Sequence, residues 1–167
     1  MPRRRPRRRA AVGDRSLKFT TDRDLEEETL MADSVKRVAY FKMMVPNRAG
    51  QGARALAVLH QAGVNLIAFS GFPHRGNAQM DFVPANPSAF RKVAKKAKWK
   101  IAGPKRAFLV SGDDRVGAGA RLLSKLAAKR INVIAIDAVH AGKGRYGAIL
   151  WVPPSQYGKA ARVLRVR

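Results

Sequence analysis

The most constraining feature of this sequence is an internal repeat. The stretch Asn47 to Arg54 returns 67 residues later as Asp114 to Arg121, with glycines at matching positions. Each copy lies between a short apolar run, typical of a strand, and a longer apolar segment with helical spacing. The repeat therefore predicts two glycine-rich turns, each leading from a strand into a helix.

A turn of this kind is a common place for a ligand to bind. The first backbone N–H groups of a helix lack acceptors within the helix and carry about half a positive charge, and glycine allows a close approach. A purely structural interpretation stays open, in which Asn47 and Asp114 cap their helices and the glycines only permit tight packing.

The segments around the first turn predict a module with the order β-α-β-β-α-β. Apolar runs, alternation and Gly/Pro punctuation divide it into elements. These are strand Val38 to Val45, helix Ala53 to Ala62, strand Val64 to Phe69, hairpin Ser70 to Asn77, strand Ala78 to Phe82, a helix opened by Pro87-Ser88, and a short strand Trp99 to Gly103.

A second module repeats this order from Lys105 onward. Ile131 to Ile136 mirrors the second strand of the first module, and Pro154-Ser155 opens a last helix. No fourth strand is obvious, and Val163 to Arg167 is either the helix end or a vestige of that strand. The predicted fold class is α+β, with two tandem ferredoxin-like modules, residues 35–103 and 104–167. Their antiparallel sheets lie edge to edge, with the helices on one face.

Residues 1–34 differ from the rest of the chain. A proline and arginine tract is followed by the acidic stretch Asp22 to Glu28, without apolar periodicity, and we predict that this basic and acidic extension is disordered. Two interpretations stay open. In one, Met31 is the true start and the extension is a misassigned translation start. In the other, the extension is a basic arm that touches nucleic acid.

Charge is the most unusual bulk property. The chain has 34 basic and 11 acidic residues, a net charge of +23; nine basic and seven acidic residues lie in residues 1–34, which leaves 25 and four in the modules. Such an excess favours binding to polyanions, although a generally basic proteome would also explain it. The candidate nucleic-acid contacts, whose alternative is a solvated helix face, are Arg91, Lys92, Lys95, Lys96 and Lys98.

The sequence also indicates a compartment. No apolar run reaches the roughly 18 to 20 residues of a membrane-spanning helix, so we expect no membrane partner. No apolar signal-peptide core follows the basic N-terminus. The chain has no cysteine, which fits a reducing compartment. We therefore predict a cytoplasmic location.

From Lys36 onward the sequence resembles two tandem ACT domains, the small ligand-sensing modules of amino-acid enzymes and of stand-alone proteins. The resemblance rests on the turn pattern of Asn or Asp, a basic residue, a variable residue and glycine, and on the asparagine that opens the second strand of each module. Family members usually have proline before that glycine, where this chain has Ala49 and Val116.

The resemblance implies that modules pair side by side and that a small amino acid binds at their interface, near the first turn. The turn amides would bind its α-carboxylate, Asn47 or Asp114 its ammonium group, and an asparagine of the second strand would line the pocket. The implied ligand-binding residues are Asn47, Arg48, Ala49, Gly50, Gln51, Gly52, Asn65, Asp114, Arg115, Gly117, Ala118, Gly119 and Asn132. The expected partners are that amino acid and either a second copy in a homodimer or a regulated protein.

Other chemistry is scarce in the sequence. The three histidines are scattered without carboxylates at metal-ligand spacing, and the glycine turns match neither a Walker motif nor a dinucleotide fingerprint. We expect no catalytic residue, no cofactor, no metal site and no enzyme activity. Two function hypotheses follow: a regulatory amino-acid-binding protein acting on a partner enzyme or regulator, or a basic protein of the same fold that binds nucleic acid or the ribosome.

Overall fold

The computed structural model describes residues 33–166. The prediction for the N-terminal extension lies almost entirely outside these residues, and so does Arg167. The elements are β1 (Ser34–Pro46), α1 (Gln51–Gln61), β2 (Leu66–His74), β3 (Asn77–Pro84), α2 (Pro87–Lys96), β4 (Ile101–Asp113), α3 (Ala118–Ala127), β5 (Ala135–His140), β6 (Arg145–Trp151), a 3-10 turn (Pro154–Gln156) and α4 (Tyr157–Val163).

The two predicted sheets form one continuous antiparallel sheet. Its strand order is β2-β3-β1-β4-β6-β5, so the predicted α+β class and ferredoxin-like modules are confirmed. The central strands β1 and β4 are 13 residues long each, and they pair from Ser34 opposite Ser111 to Met43 opposite Ile101. The module boundary that we propose between residues 103 and 104 therefore falls inside β4.

The fourth strand that the second module lacks is replaced by the first half of β1. In the first module, the second half of β1 lies between β3 and the first half of β4. In the second module, the second half of β4 lies between β6 and the first half of β1. The described residues after α4, Leu164 to Val166, form no strand, which decides the alternative left open for this segment in favour of the helix end.

The core confirms that the helices cover one face of the sheet. Phe41 and Phe82 of the first module pack with α1 and α2, and the rings of Phe82 and Phe90 lie 5.4 Å apart. Phe108 and Leu150 of the second module pack with α3 and α4 in the same way. A third apolar cluster contains strand residues only and lies on the other face. There Ala107 is fully buried, since Tyr40 and Trp151 meet edge to face beside it.

A bulge at Gly103 lets β4 serve both modules. The pairing with β1 shifts between Tyr40 and Lys42, so that Ile101 and Phe108 both face the helices although their positions differ in parity. Gly103 has φ +137°, and a β-carbon there would lie 2.8 Å from the carbonyl oxygen of Tyr40. Only glycine fits this position without strain.

We predict that Gly103→Ala destabilises the whole chain. The methyl group would meet the Tyr40 carbonyl oxygen and force an unfavourable φ, lowering the free energy of unfolding by about 1–3 kcal/mol. Denaturant unfolding measures this change. The matched control is Gly158→Ala in α4, where a β-carbon has open space and should stabilise the helix by about 0.5–1 kcal/mol. Equal midpoints for both variants would contradict the proposed strain.

We also predict that the two modules unfold together, because each uses a half of β1 and a half of β4. The two tryptophans lie in different clusters: Trp99 packs in the first-module core, and Trp151 packs in the cluster on the helix-free face, which also includes Val83 of the first module. In Trp151→Phe and in Trp99→Phe, the fluorescence and circular dichroism transitions should coincide within each variant. A fluorescence transition that precedes the other in either variant would show an independently melting module.

Candidate functional site: two glycine turns and a basic helix face

The two repeated turns have the same backbone conformation. Gly50 and Gly117 each occupy the position before the helix, with φ +84°, and neither helix has a side-chain cap. The structural interpretation in which Asn47 and Asp114 cap their helices is therefore wrong. The left-handed glycine ends the strand-to-helix turn instead, and this leaves Asn47 exposed at the surface.

Unpaired backbone donors point out of both turns. The N–H of Arg54 bonds to Gly50 and that of Arg121 bonds to Gly117. The preceding N–H groups have no acceptor among the described residues; they belong to Gly52, Ala53, Gly119 and Ala120. Such groups at a helix start favour an anion.

An arginine four residues after each glycine folds back over its turn. A β-carbon on Gly50 would lie 3.7 Å from Nη2 of Arg54, and one on Gly117 would lie 3.4 Å from Nη1 of Arg121. Arg121 Nη1 also donates to the carbonyl oxygen of Val116 at 3.3 Å. The sequence prediction did not include these arginines as ligand-binding residues, although they occupy matching positions in the repeat and could have been identified from it.

Two carboxylates, those of Asp113 and Asp114, lie at the second turn. Asp113 accepts from Arg145 and lies 3.7 Å from Arg115, while Asp114 Oδ2 lies 2.6 Å from Nδ1 of His140. Close by, burial and the neighbouring Asp33 raise the pKa of the Tyr146 phenol. These negative charges oppose the binding of a ligand carboxylate.

The first turn has the opposite electrostatics. Pro46 and Asn47 stand where the second turn has Asp113 and Asp114. Arg48 and Arg54 are exposed, and neither pairs with a carboxylate in the described part of the chain. The first turn is therefore the better anion site of the two.

The structure does not bring all the predicted ligand residues together within one chain. The first turn follows β1 and the second follows β4, so the two turns lie at opposite ends of the antiparallel β1–β4 pair. Along the strands they are about 40 Å apart, at ~3.3 Å per residue. Asn65 precedes β2, whose far end, His74, lies beside the first turn. Asn132 likewise precedes β5, and its backbone N–H donates to Gln156. Neither asparagine lies beside the turn of its own module.

Four of the five predicted nucleic-acid residues lie on the outer surface of α2, and Lys98 lies two residues after the helix ends. The opposite side of this helix is buried through Phe90 and Ala94, and Asn86 caps the helix start by accepting two backbone N–H bonds. The outer cations are all exposed, and none pairs with a carboxylate of residues 33–166; they are Arg91, Lys92, Lys95, Lys96 and Lys98.

Asp81 is the one buried acidic side chain of the described residues, at 4% exposure. It lies on the helix-free face of β3 and accepts from the side-chain amide of Gln79 at 3.0 and 3.1 Å. Burial raises the pKa of this carboxyl, against the opposing effects of Gln79, Lys42 and Lys105. No group of three metal-ligating side chains occurs in residues 33–166, and no described helix is long and apolar enough to span a membrane.

No family model matches the sequence, and no curated protein matches it either. Solved structures share its fold. A protein from Bacteroides thetaiotaomicron matches at TM-score 0.67, with 17% identity over 80% of this chain and 88% of that chain. Aspartokinase alpha and beta subunits match at 0.57, with 18% identity over 80% and 95%. The ligand-free regulatory subunit of aspartate kinase from Thermus thermophilus matches at 0.55, with 14% identity over 80% and 94%. The resemblance to tandem ACT domains is thus confirmed at the level of the fold.

Proposed function

We propose that this chain, whose fold is that of tandem ACT domain proteins, is a regulatory protein that binds a small amino acid and thereby acts on a partner enzyme or regulator. A regulatory subunit of aspartate kinase has this fold, which supports a regulatory role rather than catalysis. The cytoplasmic location and the absence of enzyme activity stay predictions.

The observation that carries the proposal is the chemistry of the first turn. The N–H groups of Gly52 and Ala53 lack acceptors among the described residues, and the guanidinium of Arg54 lies beside Gly50. An α-carboxylate would accept from both kinds of donor, and charge-assisted hydrogen bonds of this type are about twice as strong as neutral ones. The side-chain oxygen of Asn47 is the proposed acceptor for the ammonium group.

A second copy of the chain completes this proposed site. The first turn is exposed from Asn47 to Gly50, and a helix N-terminus alone contributes only about 0.3–1 kcal/mol to anion binding. Burial by another surface must supply the rest, and the second turn of the same chain is about 40 Å away at ~3.3 Å per residue. We therefore assign the covering surface to a homodimer partner.

The first test is calorimetry of the full chain against the twenty amino acids. We expect one or two of them to bind, and Arg54→Gln to weaken that binding about tenfold or more, since it removes a charged donor. Arg121→Gln is the matched control at the second turn and should leave the affinity unchanged. Gly50 is unsuitable for a blocking substitution, because its φ of +84° strains any larger residue.

The outcomes of this test separate the alternatives. Light scattering should show a dimer when the amino acid is bound. Loss of binding in Arg121→Gln alone would contradict the assignment to the first turn. Silence from all twenty amino acids, in protein with a cooperative unfolding transition, would contradict amino-acid binding itself.

The exposed cations of α2, none of which pairs with a carboxylate of residues 33–166, favour a second candidate function, nucleic-acid binding. The affinity for duplex DNA should then fall with salt, at a log-log slope of about −0.9 for each phosphate contacted. A triple variant of Lys92, Lys95 and Lys96 to glutamine should flatten the slope. The control with the same charge change, also at exposed positions, replaces Lys100, Lys129 and Lys159. Equal slopes for both triple variants would leave α2 as a solvated helix face.

A further inference from the structure

A cavity of about 820 Å³ lies away from both glycine turns. It forms where β6 leaves the sheet: the ladder with β4 ends at Phe108 opposite Leu150, and the chain continues through Pro154 into α4. Its lining includes none of the residues that the sequence predicts as ligand contacts. The volume falls in the ~300–1,000 Å³ range of small-molecule sites.

The charge in this cavity is of one sign. Arg37 of β1 and Lys105 and Arg106 of β4 line it, and its lining contains no Asp or Glu. None of these three cations forms an ion pair within residues 33–166. Lys105 lies near Asp81 on the helix-free face, while Arg37 and Arg106 share the helix-covered face of the β1–β4 pair. Two neighbouring guanidinium groups on one face attract an anion.

One of the cations is held in place by aromatic packing. The guanidinium carbon of Arg106 lies 4.4 Å from the ring centre of Tyr157, and the Tyr157 ring also stacks on Phe108, with ring centres 4.5 Å apart. The Tyr157 hydroxyl donates to the carbonyl oxygen of Ala107 at 3.3 Å. Burial raises the pKa of this phenol while Arg37 and Arg106 oppose the rise, so both guanidinium groups lie near it.

The rest of the lining is largely apolar. Tyr40 and Trp151 meet edge to face with ring centres 6.0 Å apart, and Pro104 and Val152 also line the space. Aromatic and aliphatic groups of this kind pack against a flat organic body. The lining of the cavity therefore combines apolar groups with cations.

We propose that this cavity binds an organic anion with a flat, largely apolar body and a phosphate or carboxylate group, whose charge is neutralised by Arg37 and Arg106. The site is separate from the first glycine turn, and Arg54 takes no part in it. Its ligand belongs to the size class of a nucleoside monophosphate or a bicyclic aromatic carboxylate, larger than a small amino acid.

The fluorescence of Trp151 allows ligand binding in the cavity to be measured. The chain has two tryptophans, and Trp99→Phe leaves Trp151 as the single fluorescent indole, in the cavity wall. In this background we would titrate the full chain with adenosine 5′-monophosphate, 2-naphthoate, adenosine and inorganic phosphate. We expect a saturable fluorescence change with one of the two flat anions, binding about tenfold or more tighter than adenosine or inorganic phosphate alone, because charge and flat body both contribute.

Substitutions then locate the binding. Arg37→Gln and Arg106→Gln should each weaken it about tenfold or more, as expected for loss of a charge-assisted contact, while Arg91→Gln on α2 should leave it unchanged. Arg106→Gln also removes the stacking on Tyr157, so the unfolding midpoint of each variant is measured to keep the test independent of folding.

The proposal is overturned if neither flat anion changes the fluorescence at millimolar concentration. It is also overturned if adenosine or inorganic phosphate binds as tightly as the tighter of the two flat anions, or if both arginine variants bind as the parent does. Preference for the monophosphate or for the naphthoate assigns the source of the anionic group. Arg54→Gln should not alter binding in the cavity. A failure of this proposal can therefore be distinguished from a failure of amino-acid binding at the first turn.

Discussion

The antiparallel pair of β1 and β4 is the constraint on which the rest of this structure depends. Every other strand pairs, directly or through a neighbour, with one of these two, and each long strand is divided between two modules. Because the two strands run in opposite directions, equivalent parts of the modules lie at opposite ends of the pair. The same geometry separates the two glycine turns. It also places the cavity lined by Arg37 and Arg106 near the middle of the β1–β4 pair, where β6 ends. The register shift at Gly103 lets the two halves of β4 face both helix pairs.

The repeat in the sequence predicts most of this fold, since local patterns define each element. Phe90 and Ala94 recur at helical spacing and are buried, and Met80 and Phe82 alternate with polar neighbours in β3 and are buried too. The continuity of the sheet was harder to predict. Gly103-Pro104 has the composition of a turn, and only the pairing with β1, which is distant in sequence, makes it a bulge inside a strand.

The candidate site was less predictable, because electrostatics depends on neighbours that the repeat does not conserve. The turns match in backbone conformation, yet Asp113 and Asp114 make the second one acidic where the first has Pro46 and Asn47. The positions of Asn65 and Asn132 show a related limit: spacing along the chain identifies equivalent residues but not the end of the sheet where each lies. The cavity lined by Arg37 and Arg106 had no sequence signal, since these residues are diagonal neighbours only across the β1–β4 pair.

The completion of the second module by the first half of β1 has a consequence for synthesis on the ribosome. Ser34 pairs with Ser111, so the strand half that closes the second module emerges before its partner exists. At about 5–20 residues per second, the intervening residues take about 4–15 seconds to translate. During that interval the second half of β1 can pair with β3 while its first half exposes unpaired backbone groups. Long-range pairing of this kind slows folding, and a waiting strand edge is open to pairing with other chains. The newly made first module is therefore the stage at which this chain is most open to pairing with other chains.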